Sequence, residues 1–123
     1  MIEEIEKVRE TVNTYLEAVK HKDWNKFQES WHSEARMSFV RDGEVKSVPR
    51  SFWEDWCKNP MGSEEKRTST IASIDVTRDI ASAKVIVLRE TPTERTILTD
   101  YLTLLQDESK WLIISKSYTS LTL

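Results

Sequence analysis

The sequence predicts an α+β fold in which helices come first and a long antiparallel sheet follows. Before residue 60, three segments have apolar or aromatic side chains at helical spacing, and a short predicted hairpin lies between the second and the third of them. From Thr68 onward apolar side chains alternate with polar residues over long runs, as in strands, and short polar turns separate these runs. Helices gathered before a meandering sheet are typical of α+β rather than alternating α/β proteins.

The first helix is predicted over residues 2–21, because its apolar side chains form one stripe. The stripe consists of Ile2, Ile5, Val8, Val12, Leu16 and Val19, with Tyr15 beside it. Asp23 is a typical N-cap for a second, short helix in which Trp24, Phe27 and Trp31 repeat at helical spacing. We expect the amphipathic first helix to lie on one face of the sheet.

A hairpin and a third helix come next. After the polar break at Ser33-Glu34, residues 37–40 and 44–48 are predicted strands, joined by a tight turn at Asp42-Gly43. The sequence Ser51-Phe52-Trp53-Glu54 is a capping box, which predicts that the third helix opens there. This helix is expected to end at Asn59-Pro60, since the residue before proline avoids helical geometry.

Four long strands complete the chain. They are predicted at 68–76, 81–90, 95–105 and 111–120, with connections short enough for consecutive antiparallel hairpins. Neither a repeat nor a linker interrupts the sequence, so residues 1–123 form one predicted domain. A sheet of this length, curling around the amphipathic first helix, leaves a cone with an open mouth, where pockets form.

Composition excludes several classes of function. The net charge is −3 and the basic residues are scattered, so no stripe for nucleic acid is expected. Two glycines cannot build a glycine-rich phosphate loop, and we expect no cofactor. One cysteine excludes an intramolecular disulfide and a cysteine-rich zinc site. Neither a membrane span nor a signal peptide is evident, so a cytoplasmic location is expected.

Asp100 is the most informative residue of the chain. In the predicted strand 95–105 it shares one face with Leu98, Leu102 and Leu104, while Tyr101 belongs to the other face. If the leucine face is the core, the carboxyl group needs a partner, a cavity or a proton. The alternative is a solvated acid on an edge strand. The first interpretation predicts a pocket with an acid in it.

Several segments together resemble the NTF2-like superfamily, and most of all its lumazine-binding, SnoaL-like branch. The resemblance runs from about Val12 to Tyr118. It rests on the segments 15–19, 22–24, 27–31, 32–35, 99–105 and 111–116. It implies a cone of three helices packed on a strongly curved, mostly antiparallel sheet. The superfold hosts enzymes, transport factors and plain binders, so the resemblance is specific for fold and weak for function.

Compared with ketosteroid-isomerase-like members, two positions match and one departs. The resemblance implies that Tyr15 is an oxyanion-hole tyrosine and that Asp100 is a protonated aspartate that donates a hydrogen bond to an enolate. The position of the general-base aspartate falls at Phe39, which cannot accept a proton, and the nearest acid, Asp42, lies in the hairpin turn. Steroid isomerisation is therefore not expected.

Two catalytic hypotheses follow, each with a structural alternative. Asp100 and Tyr15 either polarise a ligand carbonyl together or form a structural pair in which Tyr15 satisfies the carboxylate. His32 is either a general base or a solvent-edge histidine that caps the second helix. The spacing His32-Ser33-Glu34 occurs in zinc deaminases, but Cys57 alone cannot complete that signature, and no metal site is expected.

The predicted pocket takes a small, largely apolar ligand. Trp53 and Trp56 lie three apart and either wall the mouth or belong to the core or an interface. Ser115 is assigned to one face of the last strand with Trp111 and Ile113, where its hydroxyl leaves room inside the cone. Phe39 and Leu102 complete the expected lining. Whether chemistry follows binding stays open; isomerisation, dehydration or cyclisation would be the acid–base reactions.

The predicted sheet is apolar on both faces, and such sheets usually have both faces covered. A second subunit is the simplest cover, so a homodimer through the outer sheet face is expected. A different class of function also fits the sequence. In that interpretation the protein is a non-catalytic dimeric scaffold or interaction module whose pocket is filled by its own side chains.

Overall fold

A computed structural model of the chain describes residues 2–59 and 65–123. It contains the predicted order of elements, and the α+β fold class is confirmed. The helices are α1 (Ile2–His21), α2 (Trp24–Ser30) and α3 (Ser51–Lys58). The strands are β1 (Trp31–Arg41), β2 (Glu44–Pro49), β3 (Lys66–Thr77), β4 (Ile80–Glu90), β5 (Arg95–Asp107) and β6 (Lys110–Thr122).

The six strands form one mixed sheet with the order β2-β1-β6-β5-β4-β3. Strands β3 to β6 are consecutive antiparallel hairpins, as predicted, and β1 pairs antiparallel with β2. The pairing of β1 with β6 is parallel. The first strand in chain order, β1, therefore lies directly beside the last strand, β6, and the two strands meet in the interior of the sheet.

We call the face that carries Asp100, Leu102 and Leu104 the inner face. These side chains are buried together with the apolar stripe of α1, whose Val8 and Val12 are fully buried. The hydroxyl of Thr11 also donates a hydrogen bond to the carbonyl oxygen of Trp111, 3.1 Å away, which ties α1 to β6. The opposite side of the sheet is called the outer face.

The short helix α2 begins as predicted and ends earlier than expected. The Asp23 carboxylate accepts a hydrogen bond from the amide of Lys26 at 3.3 Å, which caps the helix. The prediction that Trp31 continues this helix is wrong. Its backbone is extended (φ −111°, ψ 132°) and its amide donates to the carbonyl of Phe27, so Trp31 ends α2 and begins β1.

Two other local predictions are wrong. The polar pair Ser33-Glu34 does not break the chain but lies inside β1, at an irregularity of the pairing between Trp31 and Arg36. Ser51 does not cap α3, because the N-cap is Arg50, which makes no side-chain capping bond. The Arg50 guanidinium donates instead to the carbonyl oxygen of Trp31 at 3.1 Å, so this junction is held by a tertiary contact. The predicted end of α3 is confirmed at Asn59, which is the C-cap and has an extended backbone (φ −84°, ψ 121°), while Pro60 itself lies outside the described residues.

The predicted turn at Asp42-Gly43 is confirmed. Both residues have positive φ angles, 53° and 79°, as a tight two-residue hairpin requires. Within the described residues, no helix is both long and apolar enough to cross a membrane. The cytoplasmic location stays a prediction.

Candidate functional site

Asp100 lies on the inner face and is 2% exposed, which confirms the predicted burial of this carboxyl group. Strand β5 fixes its position, because Asp100 pairs with Val85 on β4 and with Tyr118 on β6. Its Oδ2 atom lies 3.5 Å from Nζ of Lys116. Its Oδ1 atom is buried without a hydrogen-bond partner among the described residues. A buried carboxylate oxygen needs a donor, so this atom marks a place for a water molecule or a ligand group.

Lys116 is a candidate site residue that the sequence interpretation missed. It is 5% exposed, and its ammonium group donates a hydrogen bond to Oη of Tyr15 at 2.7 Å. Lys116 therefore stands between the two residues that were expected to pair directly, Asp100 and Tyr15. The group of these three side chains is called the inner cluster. It joins α1, β5 and β6.

A bulge explains why Lys116 was missed. Thr103 pairs with Ser115 and Leu104 with Ile113, so Ile114 is an extra residue that reverses the alternation of β6. As a result Lys116 and Tyr118 follow Trp111 and Ile113 on the inner face. The assignment of Ser115 to that face is wrong, because Ser115 lies opposite Thr103 on the outer face. A buried carboxylate such as that of Asp100 needs a positive partner, and a search for a lysine or arginine on the neighbouring strand could have identified Lys116 from the sequence.

Aromatic rings surround the Lys116 ammonium group on three sides. Its Nζ lies 5.4 Å from the ring centre of Tyr15, 5.0 Å from Trp53 and 5.0 Å from Tyr118. Trp53 is 5% exposed and stacks on Phe27 with 4.8 Å between ring centres. Trp53 therefore belongs to the core and lines the inner cluster at the same time. Cation–π attraction of this kind is worth more in a desolvated site than at the surface.

Burial dominates the electrostatics of the inner cluster. It lowers the pKa of Lys116, while the neighbouring Asp100 carboxylate acts in the opposite direction. Burial also raises the pKa of Tyr15 well above the ordinary tyrosine value, and the charge of Asp100 adds to this effect. Tyr15 is consequently a neutral phenol at physiological pH, which can donate its hydroxyl proton in a hydrogen bond.

The raised pKa of Tyr15 leads to a prediction. Because the unfolded chain ionises its tyrosines near 10, the neutral Tyr15 contributes stability that is present below pH 10 and is lost as the pH rises through its higher value in the folded protein. In a titration followed at 295 nm, Tyr15 should therefore ionise only together with unfolding. Comparison with a Tyr15→Phe variant assigns the late step; a Tyr15 signal that precedes unfolding would contradict the burial.

His32 does not belong to the inner cluster. Trp31 is buried on the inner face, so the next residue of β1 lies on the outer face. There His32 borders a depression of about 380 Å³ with Leu105, Leu112 and Ile114. Its Nδ1 accepts a hydrogen bond from the amide of Glu34 at 3.0 Å. The prediction that His32 is a base beside Asp100 is wrong, because the sheet separates the two side chains.

The other predicted lining residues occupy different depths. Leu102 is 1% exposed and lies in the core beneath the inner cluster. Phe39 is half-buried and contacts Tyr118, with 5.3 Å between ring centres, so this pair lies at the solvent side of Lys116. Trp56 lies farther out, where Nζ of Lys22 stands 4.5 Å from its ring centre. Their contacts with a ligand stay predictions.

The geometry limits the chemistry that the inner cluster can perform. Side by side it offers a carboxylate oxygen that accepts, an ammonium group that donates and a neutral phenol, all enclosed by aromatic rings. Such a set can bind a polar edge of a flat ligand or polarise a carbonyl group. Among residues 2–59 and 65–123, no three histidine, cysteine or acidic side chains are grouped so that they could hold a metal ion.

Comparison with known proteins agrees with this architecture. Residues 3–119 match the family described as "Putative lumazine-binding". None of the curated proteins compared with the chain matches it significantly. The solved structures include an NTF2-like protein of unknown function from Shewanella baltica OS155, with 25% identity, 98% of this chain and 96% of that chain covered, and a TM-score of 0.83.

Two further structures extend the comparison. An NTF2-like protein of unknown function from Silicibacter pomeroyi DSS-3 has 26% identity, with 97% of each chain covered and a TM-score of 0.79. A structure described as a putative ketosteroid isomerase, from Shewanella frigidimarina NCIMB 400, has 15% identity, covers 92% of this chain and 94% of that chain, and has a TM-score of 0.74. At 15% identity this likeness concerns the fold alone.

Proposed function

Because the chain belongs to the "Putative lumazine-binding" family of the NTF2-like superfamily, we propose that it binds a small, flat heterocycle on its inner face. The ligand class is a ring with a cyclic imide edge, in which an N–H group lies between two carbonyl groups, as in lumazine. The observation that carries this proposal is the unpartnered Oδ1 of Asp100 beside the Lys116 ammonium group.

The imide edge is complementary to the inner cluster. Its N–H group would donate to Oδ1 of Asp100, which has no donor among the described residues. A flanking carbonyl oxygen would accept from Nζ of Lys116 or from the hydroxyl of Tyr15. Hydrogen bonds to charged partners contribute about 1.5–3 kcal/mol each, more than neutral ones, and satisfying a buried acceptor removes a desolvation penalty.

The ring of the ligand would lie against aromatic side chains. Tyr118 and Phe39 are half-buried on the inner face, next to Lys116, and form the side from which a ligand can approach. Stacking of a heterocyclic base on an aromatic side chain is worth about 1–3 kcal/mol. Binding of this kind requires Tyr118 or Phe39 to change rotamer, because Asp100 and Tyr15 are almost fully buried.

A fluorescence titration with lumazine tests the proposal. The wild-type protein should bind lumazine saturably, and Tyr118→Leu should weaken binding by about tenfold, since a lost stacking contact of about 1.4 kcal/mol corresponds to that factor. Tyr101→Leu is the matched control, because it removes the same ring from the outer face. Equal affinities of the two variants, or no saturable binding by the wild type, would refute the proposal.

A second candidate function is a dimeric interaction module whose inner cluster serves stability alone. Its supporting observation is the outer face, where large apolar side chains are exposed: Ile80, Ile86, Tyr101, Leu105 and Leu121. They lie on three adjacent strands, β4, β5 and β6. Exposed apolar patches of this kind usually mark an interface. We therefore propose that two copies of the chain pair through this face, and the dimer is compatible with either function.

The dimer gives a separate prediction. Leu105→Lys places a charge in the outer patch, beside its pairing partner Ile80 on β4, and should convert the protein to a monomer in sedimentation velocity. Burying an unpaired charge costs far more than a leucine side chain contributes. Ile2→Lys is the matched control, since Ile2 is 78% exposed and belongs to α1, outside the outer patch. A Leu105→Lys protein that sediments like the control would mean that this face is not the interface.

A further inference from the structure

The contacts of Lys116 differ from those of a lysine that only neutralises a buried carboxylate. Charge-assisted hydrogen bonds between ammonium and carboxylate groups are usually about 2.7–2.9 Å long. Nζ of Lys116 lies 3.5 Å from Oδ2 of Asp100 and makes its short contact, 2.7 Å, with the neutral hydroxyl of Tyr15. The amine thus lies between two oxygen acceptors, the Asp100 carboxylate and the Tyr15 hydroxyl, inside a desolvated aromatic enclosure.

We infer that Lys116 is a nucleophilic amine that forms an imine with an aldehyde or ketone admitted to the inner face. The substrate class is therefore a carbonyl compound with an apolar or aromatic body, which would contact the aromatic rings of Trp53 and Tyr118 that lie beside Lys116. This inference goes beyond the proposed binding of a heterocycle. It uses the same cluster, but it does not depend on lumazine as the ligand.

The three residues account for every proton in the reaction. The Lys116 ammonium passes a proton to Oδ2 of Asp100, and the free amine adds its lone pair to the carbonyl carbon. Tyr15 donates a hydrogen bond to the carbonyl oxygen as charge develops there. The adduct carries a positive nitrogen and a negative oxygen, so one proton moves from this nitrogen to the oxygen through the Tyr15 hydroxyl and gives the neutral carbinolamine. The protonated Asp100 then gives its proton to the carbinolamine hydroxyl group, which leaves as water while the C=N bond forms. In sum, an ammonium and an aldehyde become an iminium and water, and Asp100 is again a carboxylate.

The electrostatics support this chemistry. Burial lowers the pKa of Lys116, so a larger fraction of its amine is neutral at a given pH than in an exposed lysine. The titratable and charged groups that act on Lys116 come from every side: Asp100 on β5, Tyr15 on α1, Tyr118 on β6 and Arg67 on β3. Of these, Asp100 favours the ammonium form and Arg67 disfavours it.

Reductive trapping tests the inference on the intact folded protein. Benzaldehyde and sodium cyanoborohydride at pH 6.5 convert an imine into a stable benzylamine, and peptide mass mapping then reports the label at each lysine. We expect several-fold more label on Lys116 than on the exposed Lys110, which lies on the same strand. The preference should disappear when the protein is unfolded in urea before labelling. Label on Lys116 no greater than on Lys110 in the folded protein would overturn the inference.

A positioning role for Tyr15 can be separated from a structural one. Tyr15→Phe should slow the labelling of Lys116 while leaving that of Lys110 unchanged, and circular dichroism verifies that the variant is folded. Lys116→Arg keeps the positive charge beside Asp100 but should abolish the label at position 116. Failure of lumazine to bind would leave this result unaffected, and absence of trapping would leave lumazine binding unaffected, so the two proposals fail separately.

Discussion

Replacement of Lys116 by methionine is expected to lower the free energy of unfolding by about 3–5 kcal/mol, because it leaves the buried carboxylate of Asp100 without a countercharge. Methionine has nearly the length and shape of the lysine stem, so packing changes little. The cost therefore arises from Asp100, which is 2% exposed and cannot turn to solvent. Urea denaturation, with stability taken from the midpoint and slope, measures the effect.

The double variant Lys116→Met/Asp100→Leu separates the charge effect from packing. With both charges removed, most of the loss should be recovered, since apolar replacements of a buried ion pair are often neutral or stabilising. Lys110→Met is the control for a lysine-to-methionine change at an exposed position of the same strand. If Lys116→Met were as stable as Lys110→Met, the two groups would not form a buried pair in solution.

Replacement of Phe27 by alanine is expected to cost about 3–5 kcal/mol, the usual range for a large aromatic residue removed from a core. Phe27 is fully buried and stacks on Trp53, and its ring also contacts Tyr15 and Trp31. The cavity left behind would adjoin the residues that position the inner cluster. The labelling of Lys116 and the binding of lumazine should therefore be measured only on variants that retain Phe27.

Phe52→Ala is the matched control for this prediction. Phe52 is 43% exposed at the start of α3 and contacts the same Trp53 ring from its outer edge. Phe52→Ala should lower the free energy of unfolding by well under half as much as Phe27→Ala, because the Phe52 side chain buries less apolar area on folding. Equal losses in the two variants would show that the aromatic cluster is not the centre of the core.

Much of the fold could be predicted from local sequence patterns. The stripe of α1 and the alternation in β4 and β5 are periodic over many residues, and each periodic pattern fits one element type. The tight turn at Asp42-Gly43 was evident because few residue pairs adopt two positive φ angles. The parallel pairing of β1 with β6 joins distant segments and left no local signal.

The site was predicted only in part. The burial of Asp100 followed from strict alternation in β5, which the structure retains. In β6 one extra residue at the bulge reverses the alternation, which moved Lys116 inward and Ser115 outward. The errors at Lys116 and Ser115 come from this change of register, which side-chain type alone does not reveal. His32 was predicted only as a residue at the junction of helix and strand, which gives no side of the sheet, and the structure places it on the outer face.

A crystal structure of the protein soaked with lumazine tests the central claim most directly, because it shows which group, if any, contacts Oδ1 of Asp100. We expect the imide N–H of lumazine within hydrogen-bond distance of Oδ1, a carbonyl oxygen near Lys116 or Tyr15, and the ring against Tyr118. An ordered water molecule on Oδ1, with the inner face closed and no heterocycle bound there, would contradict a binding function and favour the dimeric interaction module.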